Sequence, residues 1–136
     1  AGSLTLLPTT HRNGLGAEIA IVAFDKTNHT IKGITTGVPV VKLNKEEQET
    51  FKPRKGKGKI PFAKFESSLI PGDVIAMISD GITDQFDVNN KKRLGSKRTI
   101  GMVKRSLGQE SFLSQWEAWK GNTEQIDDVS YLSISI

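Results

Sequence analysis

Two acidic clusters in this sequence each stand directly against an apolar run. Asp80 follows residues 73–79 (DVIAMIS), and Asp127 and Asp128 precede residues 129–136 (VSYLSISI). If the two runs are neighbouring antiparallel strands, both sets of carboxylates arrive at the same end of one sheet. Gly81, beside Asp80, carries no side chain and lets backbone and carboxylate close on a small ion. Carboxylates that converge without imidazole or thiolate favour Mg²⁺, Mn²⁺ or Ca²⁺ through oxygen ligation. A divalent cation relieves their mutual repulsion better than a surface lysine does. The same residues also suit a plain strand-ending turn at Asp80-Gly81 and a solvated cap at Asp127-Asp128, because Asp and Gly favour turns. Spacing alone leaves both readings open.

Other chemistries are excluded by residue type. The 136 residues contain no cysteine, which removes disulfide scaffolds, thiolate zinc sites and cysteine nucleophiles. His11 and His29 stand in polar stretches with no second ligand at metal-binding spacing, so a histidine zinc site is not expected. A hydrophobic content of 36% suits one ordinary core, or part of one, and not two domains. No apolar run reaches the roughly 20 residues that span a bilayer, and no signal-peptide pattern opens the chain. A soluble, cytoplasmic protein is expected. The net charge of +4 is concentrated in residues 52–59 (KPRKGKGK), which read as a poorly ordered loop with no aromatic between the cations to stack on bases. Nucleic-acid binding through this loop and residues 91–98 is therefore a weak alternative.

The elements that must position the carboxylates follow from periodicity. Residues 1–16 read as a tether or lead-in strand, to which no structure is assigned. Residues 17–24 (AEIAIVAF) are apolar on both alternating faces except for Glu18, which suits a strand covered on both sides. A polar turn at 25–29 and a second run at 30–36 predict a hairpin, which 38–43 would extend past Gly37. Residues 73–79 predict a central strand. Ile100, Val103 and Leu107 place a helix over 97–107, and Phe112, Trp116 and Trp119 place another over 111–120. Gly108 and Gly121 stand where helix-ending glycines are expected. The tryptophans read as core packing. Residues 129–136 predict a closing strand, with Leu132, Ile134 and Ile136 on one face.

Residues 80–86 (DGITDQF), ending a strand introduced by 71–75 (PGDVI), closely resemble the GD–apolar strand–SDG-x-x-DQF segment of SpoIIE-like protein phosphatases. These are a bacterial branch of the PPM, or type 2C, phosphatases. Residues 125–130 (QIDDVS) resemble the family's closing Q-x-DD-[IV]-[ST] motif, and Trp119-Lys120-Gly121 resembles the helix end that precedes it. The motifs occur in family order over residues 17–136. The resemblance implies an α+β fold in which two antiparallel sheets form a sandwich with flanking helices, here incomplete. It implies that Asp80 ligates one or both core metals and Asp127 the second. Asp84 would assist a weaker additional metal, with Gly81 the close-approach glycine and Asp128 in support. The implied cofactors are two Mn²⁺ or Mg²⁺ ions, and the implied reaction is hydrolysis of phosphoserine or phosphothreonine by metal-activated water. The implied partner is a phosphorylated regulatory protein, such as a STAS-domain anti-sigma-factor antagonist.

The family's remaining ligands come from an early strand aspartate and an Asp-x-x-Gly-His-Gly motif, and neither occurs in this sequence. The expectation is a C-terminal portion that holds at most half of a two-metal site and is inactive alone. A homodimer or a complementing N-terminal segment would complete it. The alternative is a non-catalytic module of the same fold that binds a regulatory protein.

Overall fold

The computed structural model describes residues 2–10, 17–53, 62–108 and 110–136. Residues 54–59 of the basic run, and with them the order expected of that loop, lie outside the described residues. Alternating apolar residues build the first sheet. Strands β1 (Gly2–Thr10), β2 (Ala17–Asp25), β3 (Thr30–Thr35) and β6 (Ala63–Ser68) pair antiparallel in the order β1-β2-β3-β6. The β2–β3 hairpin turns where Asp25 Oδ1 accepts the backbone N–H groups of Thr27 and Asn28 at 2.9 and 3.0 Å. His29 takes a left-handed φ of 52° there. Residues 2–10, to which periodicity assigns nothing, run the length of β2 as an edge strand.

The chain changes sheets at residues 36–39 instead of extending the hairpin. Thr35 Oγ1 donates to the Val38 carbonyl, and Gly37 N–H donates back to Thr35 Oγ1 at 3.4 Å. Strand β4 (Val40–Leu43) therefore enters a second sheet of order β5-β4-β7-β8, with β5 at Gln48–Phe51, β7 at Val74–Ile78 and β8 at Tyr131–Ser135. All five residues of β7 are buried because the strand is covered on both faces. Ile75 and Met77 point into the space between the sheets, against Ala20, Val22, Phe24 and Ile31. Ala76 and Ile78 point the other way, into a core shared with Met102, Val103, Phe112 and Trp116.

That second core is closed by helices α2 (Gly95–Ser106) and α3 (Phe112–Lys120). Ser111 caps α3 by accepting the N–H of Ser114 at 3.1 Å, and Gly121, at φ 56°, ends it. Buried Gln115 ties the two helices, donating to the Met102 carbonyl at 3.0 Å and accepting from Arg105 Nε at 2.8 Å. Phe112 stacks on Tyr131 of β8 at 3.9 Å between centroids. Trp116 lies in the core, as its helical spacing predicts. The result is a sheet, a second sheet and a helical layer, the α+β sandwich that the motifs imply. One expectation for β2 changes: its outward positions are only half-buried at Ile21 and exposed at Ala23, so only its inward face is fully covered among the described residues.

Candidate metal centre

The position of Asp80 is set by the strand before it. Asp73 opens β7 as a buried carboxylate, accepting from Ile70 N–H and Asn44 Nδ2 at 2.9 Å each. Gly72, at φ 95°, makes the turn that precedes it. From there β7 runs antiparallel to β8, with Ile78 opposite Tyr131. The residues after one strand and before the other thus meet at one sheet end. Ser79 N–H donates to the Ser130 carbonyl at 3.0 Å, and Ser130 N–H donates to Ser79 Oγ at 2.8 Å. This pair of bonds carries the ladder one step past the strands.

Beyond it Asp80 begins a one-turn helix, α1 (Asp80–Thr83). Gly81 in that turn lies flat against the Asp127-Asp128 backbone: a Cβ built on it would stand 2.0 Å from the Asp128 carbonyl oxygen and 3.4 Å from the Asp127 carbonyl carbon. Only hydrogen fits there, so Gly81 is what allows the Asp80 turn and the Asp127-Asp128 segment to touch.

Among the described residues the Asp80 carboxylate is exposed and accepts no hydrogen bond or ion pair. Asp127 Oδ1 accepts the Asp128 N–H at 2.8 Å, which orients the carboxylate and leaves Oδ2 free of hydrogen bonds among the described residues. The Asp128 side chain is exposed. Asp84 ends α1, its N–H donating to the Asp80 carbonyl at 2.8 Å, and its carboxylate lies 3.8 Å from Arg93. No three His, Cys, Asp or Glu residues converge as a metal-holding group among the described residues. The donors the chain brings to this corner are carboxylate and carbonyl oxygens, which fit a hard divalent cation. Two carboxylates fall short of the ligand set that clamps a pair of ions.

Sequence reasoning assigned no role to Gln85, which turns out to hold the frame. It is fully buried. Its Nε2 donates to the Glu124 carbonyl at 3.0 Å, and its own carbonyl accepts Leu94 N–H at 2.9 Å and Trp119 Nε1 at 3.0 Å. Thr123 Oγ1 adds a bond to the Asp87 carbonyl at 2.7 Å. These contacts lock the segment after α1 to the segment leading into Asp127. The only sequence signal was a Gln directly after the acidic turn, within DQF.

The antiparallel two-sheet sandwich with its helices matches the fold of PP2C-type serine phosphatase domains, among them that of SpoIIE. The chain is similar to the SiaA-PP2C domain of Pseudomonas aeruginosa, with a TM-score of 0.77 and 21% identity over 88% of this chain and 51% of that one. It is also similar to the phosphatase domain of the cell fate determinant SpoIIE from Bacillus subtilis, with a TM-score of 0.65 and 13% identity over 88% and 55%. A third similar structure is RsbX in complex with magnesium, with a TM-score of 0.63 and 14% identity over 90% and 57%. The chain spans about half the length of each of these structures, consistent with a C-terminal portion. No protein-family model matches the chain, and no curated protein matches it by sequence. No helix among the described residues is long and apolar enough to cross a membrane.

Proposed function

We propose that this chain is the C-terminal part of a Mg²⁺- or Mn²⁺-dependent protein serine/threonine phosphatase, in which Asp80 and Asp127 ligate metal. The observation that carries the reading is the seating of Gly81 on the Asp127-Asp128 backbone, since only a side-chain-free residue lets the two acidic turns share one corner. The likeness of the 80–86 and 125–130 motifs to the SpoIIE-like pattern, together with the fold, supports the same assignment. Bound divalent ions would supply a water of lowered pKa and neutralise phosphate oxygens. The chain's own contribution is positional. Asp80 and Asp127 hold charge at the corner, the Ser79–Ser130 bonds fix its width, and Gln85 keeps the two supporting segments in register. Asp84 assists a weaker additional site, with the Arg93 pair as its competitor.

The substrate on this reading is a phosphorylated regulatory protein of the STAS-domain type. With at most half of a two-metal site, the 136-residue chain alone shows little or no Mn²⁺-dependent hydrolysis of p-nitrophenyl phosphate. A complementing N-terminal half, supplied as a second chain or by fusion, restores turnover. In that restored enzyme Asp80→Asn and Asp127→Asn each lower kcat by about 10²-fold or more, because a catalytic electrostatic contact is lost with little change in shape. Saturable turnover by the chain alone, or full activity of either variant, would overturn the reading. A folded, fully complemented domain without activity would point to the non-catalytic module instead.

A further inference from the structure

The surface beside the acidic corner carries charge of one sign. Residues 88–108 hold seven cations and no carboxylate. Helix α2 buries Thr99, Met102 and Val103, so Lys97 and Lys104, seven residues apart, lie on its opposite face, with Arg98 and Arg105 alongside. All four are exposed, as are Lys91 and Lys92 in the loop before the helix. The arginines are held in place. Arg105 is fixed by Gln115, and Arg98 lies 5.4 Å over the Trp119 ring with a bond to the Leu94 carbonyl. Lys91, Lys97 and Lys104 have no ion-pair partner among the described residues.

This face is fastened to the corner and not merely near it. Arg93 forms an isolated bridge with Phe86 and reaches Asp84 at 3.8 Å, while Leu94 N–H bonds the Gln85 carbonyl. Seven like charges gathered on one surface, with Arg93–Asp84 their one ion pair among the described residues and Asp87 acting on Lys92 at longer range, are costly by self-repulsion, and an anionic partner relieves that cost.

We propose that the exposed face of α2 and the 91–93 loop form a docking surface for an acidic protein segment, with Lys97 and Lys104 as its central contacts. Two other anionic partners fit less well. Single-stranded nucleic acid bound without sequence preference stacks its bases on free aromatic faces, and the rings beside these cations, Phe86 and Trp119, each already carry a guanidinium at 5.3 and 5.4 Å. A membrane surface needs an apolar helix face to insert, and that of α2 is packed in the core. The use of this surface to bring a phosphorylated residue toward Asp80 rests on the phosphatase reading. The charge complementarity does not.

The test is fluorescence anisotropy with a labelled Asp/Glu-rich peptide containing one serine, in phosphorylated and unphosphorylated forms, at low and physiological salt. The wild-type chain binds both forms at low salt, and Lys97→Glu/Lys104→Glu weakens binding about tenfold or more. Lys26→Glu/Lys45→Glu changes net charge equally at other exposed sites and alters binding less than about twofold. Amide shifts in the wild-type chain on peptide addition fall within residues 91–105. Asp80→Asn retains peptide binding, so loss of the metal reading leaves this result intact. Equal weakening by both double variants, shifts mapping elsewhere, or no binding overturns the docking surface. Tighter binding of duplex DNA or of phosphatidylserine vesicles than of peptide overturns the choice of partner.

Discussion

Replacing Gly81 with alanine sets two effects of opposite sign against each other. In an ordinary helical turn Gly→Ala stabilises by about 0.4–1 kcal/mol, because the unfolded chain loses freedom. Here the added Cβ would stand 2.0 Å from the Asp128 carbonyl oxygen, where Cβ contacts under 3.0 Å essentially do not occur. The Asp127-Asp128 segment must therefore retreat by about 1 Å. The obstacle is backbone, tethered two residues away by the Ser79–Ser130 bonds, and no flexible side chain can swing aside. Overpacking of this kind costs about 1–3 kcal/mol, which exceeds the alanine gain. The net expectation is a loss of about 1–2 kcal/mol, read as a Tm lower by about 4–8 °C for a chain of this size. Differential scanning calorimetry measures it, and a Mn²⁺ titration of the same variant should show weaker binding, since the retreat carries Asp127 away from Asp80. A Gly81→Ala chain as stable as wild type, or more so, refutes the close-approach argument.

Trp119→Phe keeps an aromatic side chain, smaller than the indole, and removes the N–H that reaches the Gln85 carbonyl at 3.0 Å. That carbonyl still accepts Leu94 N–H, so no acceptor is orphaned; the lost bond and the space left by the smaller ring should together cost about 1–3 kcal/mol in urea unfolding, and a loss above about 4 kcal/mol would contradict this accounting. The Asp87 carboxyl is held below its ordinary range, chiefly by the backbone N–H of Lys91 and then by those of Lys92 and Asn89. Asp25 is lowered in the same way by Asn28. A lowered folded value means that the stabilisation is present above the unfolded pKa of about 3.9 and is lost as pH falls through the folded value. Asp87→Asn should therefore lose less stability than wild type between pH 6 and pH 3, and an unchanged difference contradicts the assignment.

Much of this architecture was legible because period and burial agree. Residues 73–79 are apolar at every position since Ile75 and Met77 meet the first sheet while Ala76 and Ile78 meet the helices. The helices were legible from Val103, Phe112 and Trp116, whose spacing matches the stripe that packs. Strand β5, with sequence QETF, was not legible: it is an exposed edge strand paired with β4, and its one large apolar residue, Phe51, stacks on Phe65 at 4.4 Å. Strand β6, AKFESS, alternates in burial, but its outward positions are Lys64, Glu66 and Ser68 and its inward ones include only one large apolar residue, Phe65. The change of sheet at 36–39 depends on the Thr35 hydroxyl, a local bond that no hydrophobic pattern announces. At the candidate centre, the acidic turns were legible from residue type and position. Their juxtaposition depends on long-range strand pairing, and the Gln85 scaffold on bonds spanning up to 39 residues.

On the proposed reading Asp80 and Asp127 share one ion site. A Mn²⁺ titration of the ¹⁵N-labelled chain, followed by paramagnetic broadening of its amide signals, tests it most directly. Selective broadening is expected at residues 79–84 and 126–130, weakening in Asp80→Asn and again in Asp127→Asn. Broadening centred elsewhere, or broadening at these residues that neither substitution changes, would contradict it.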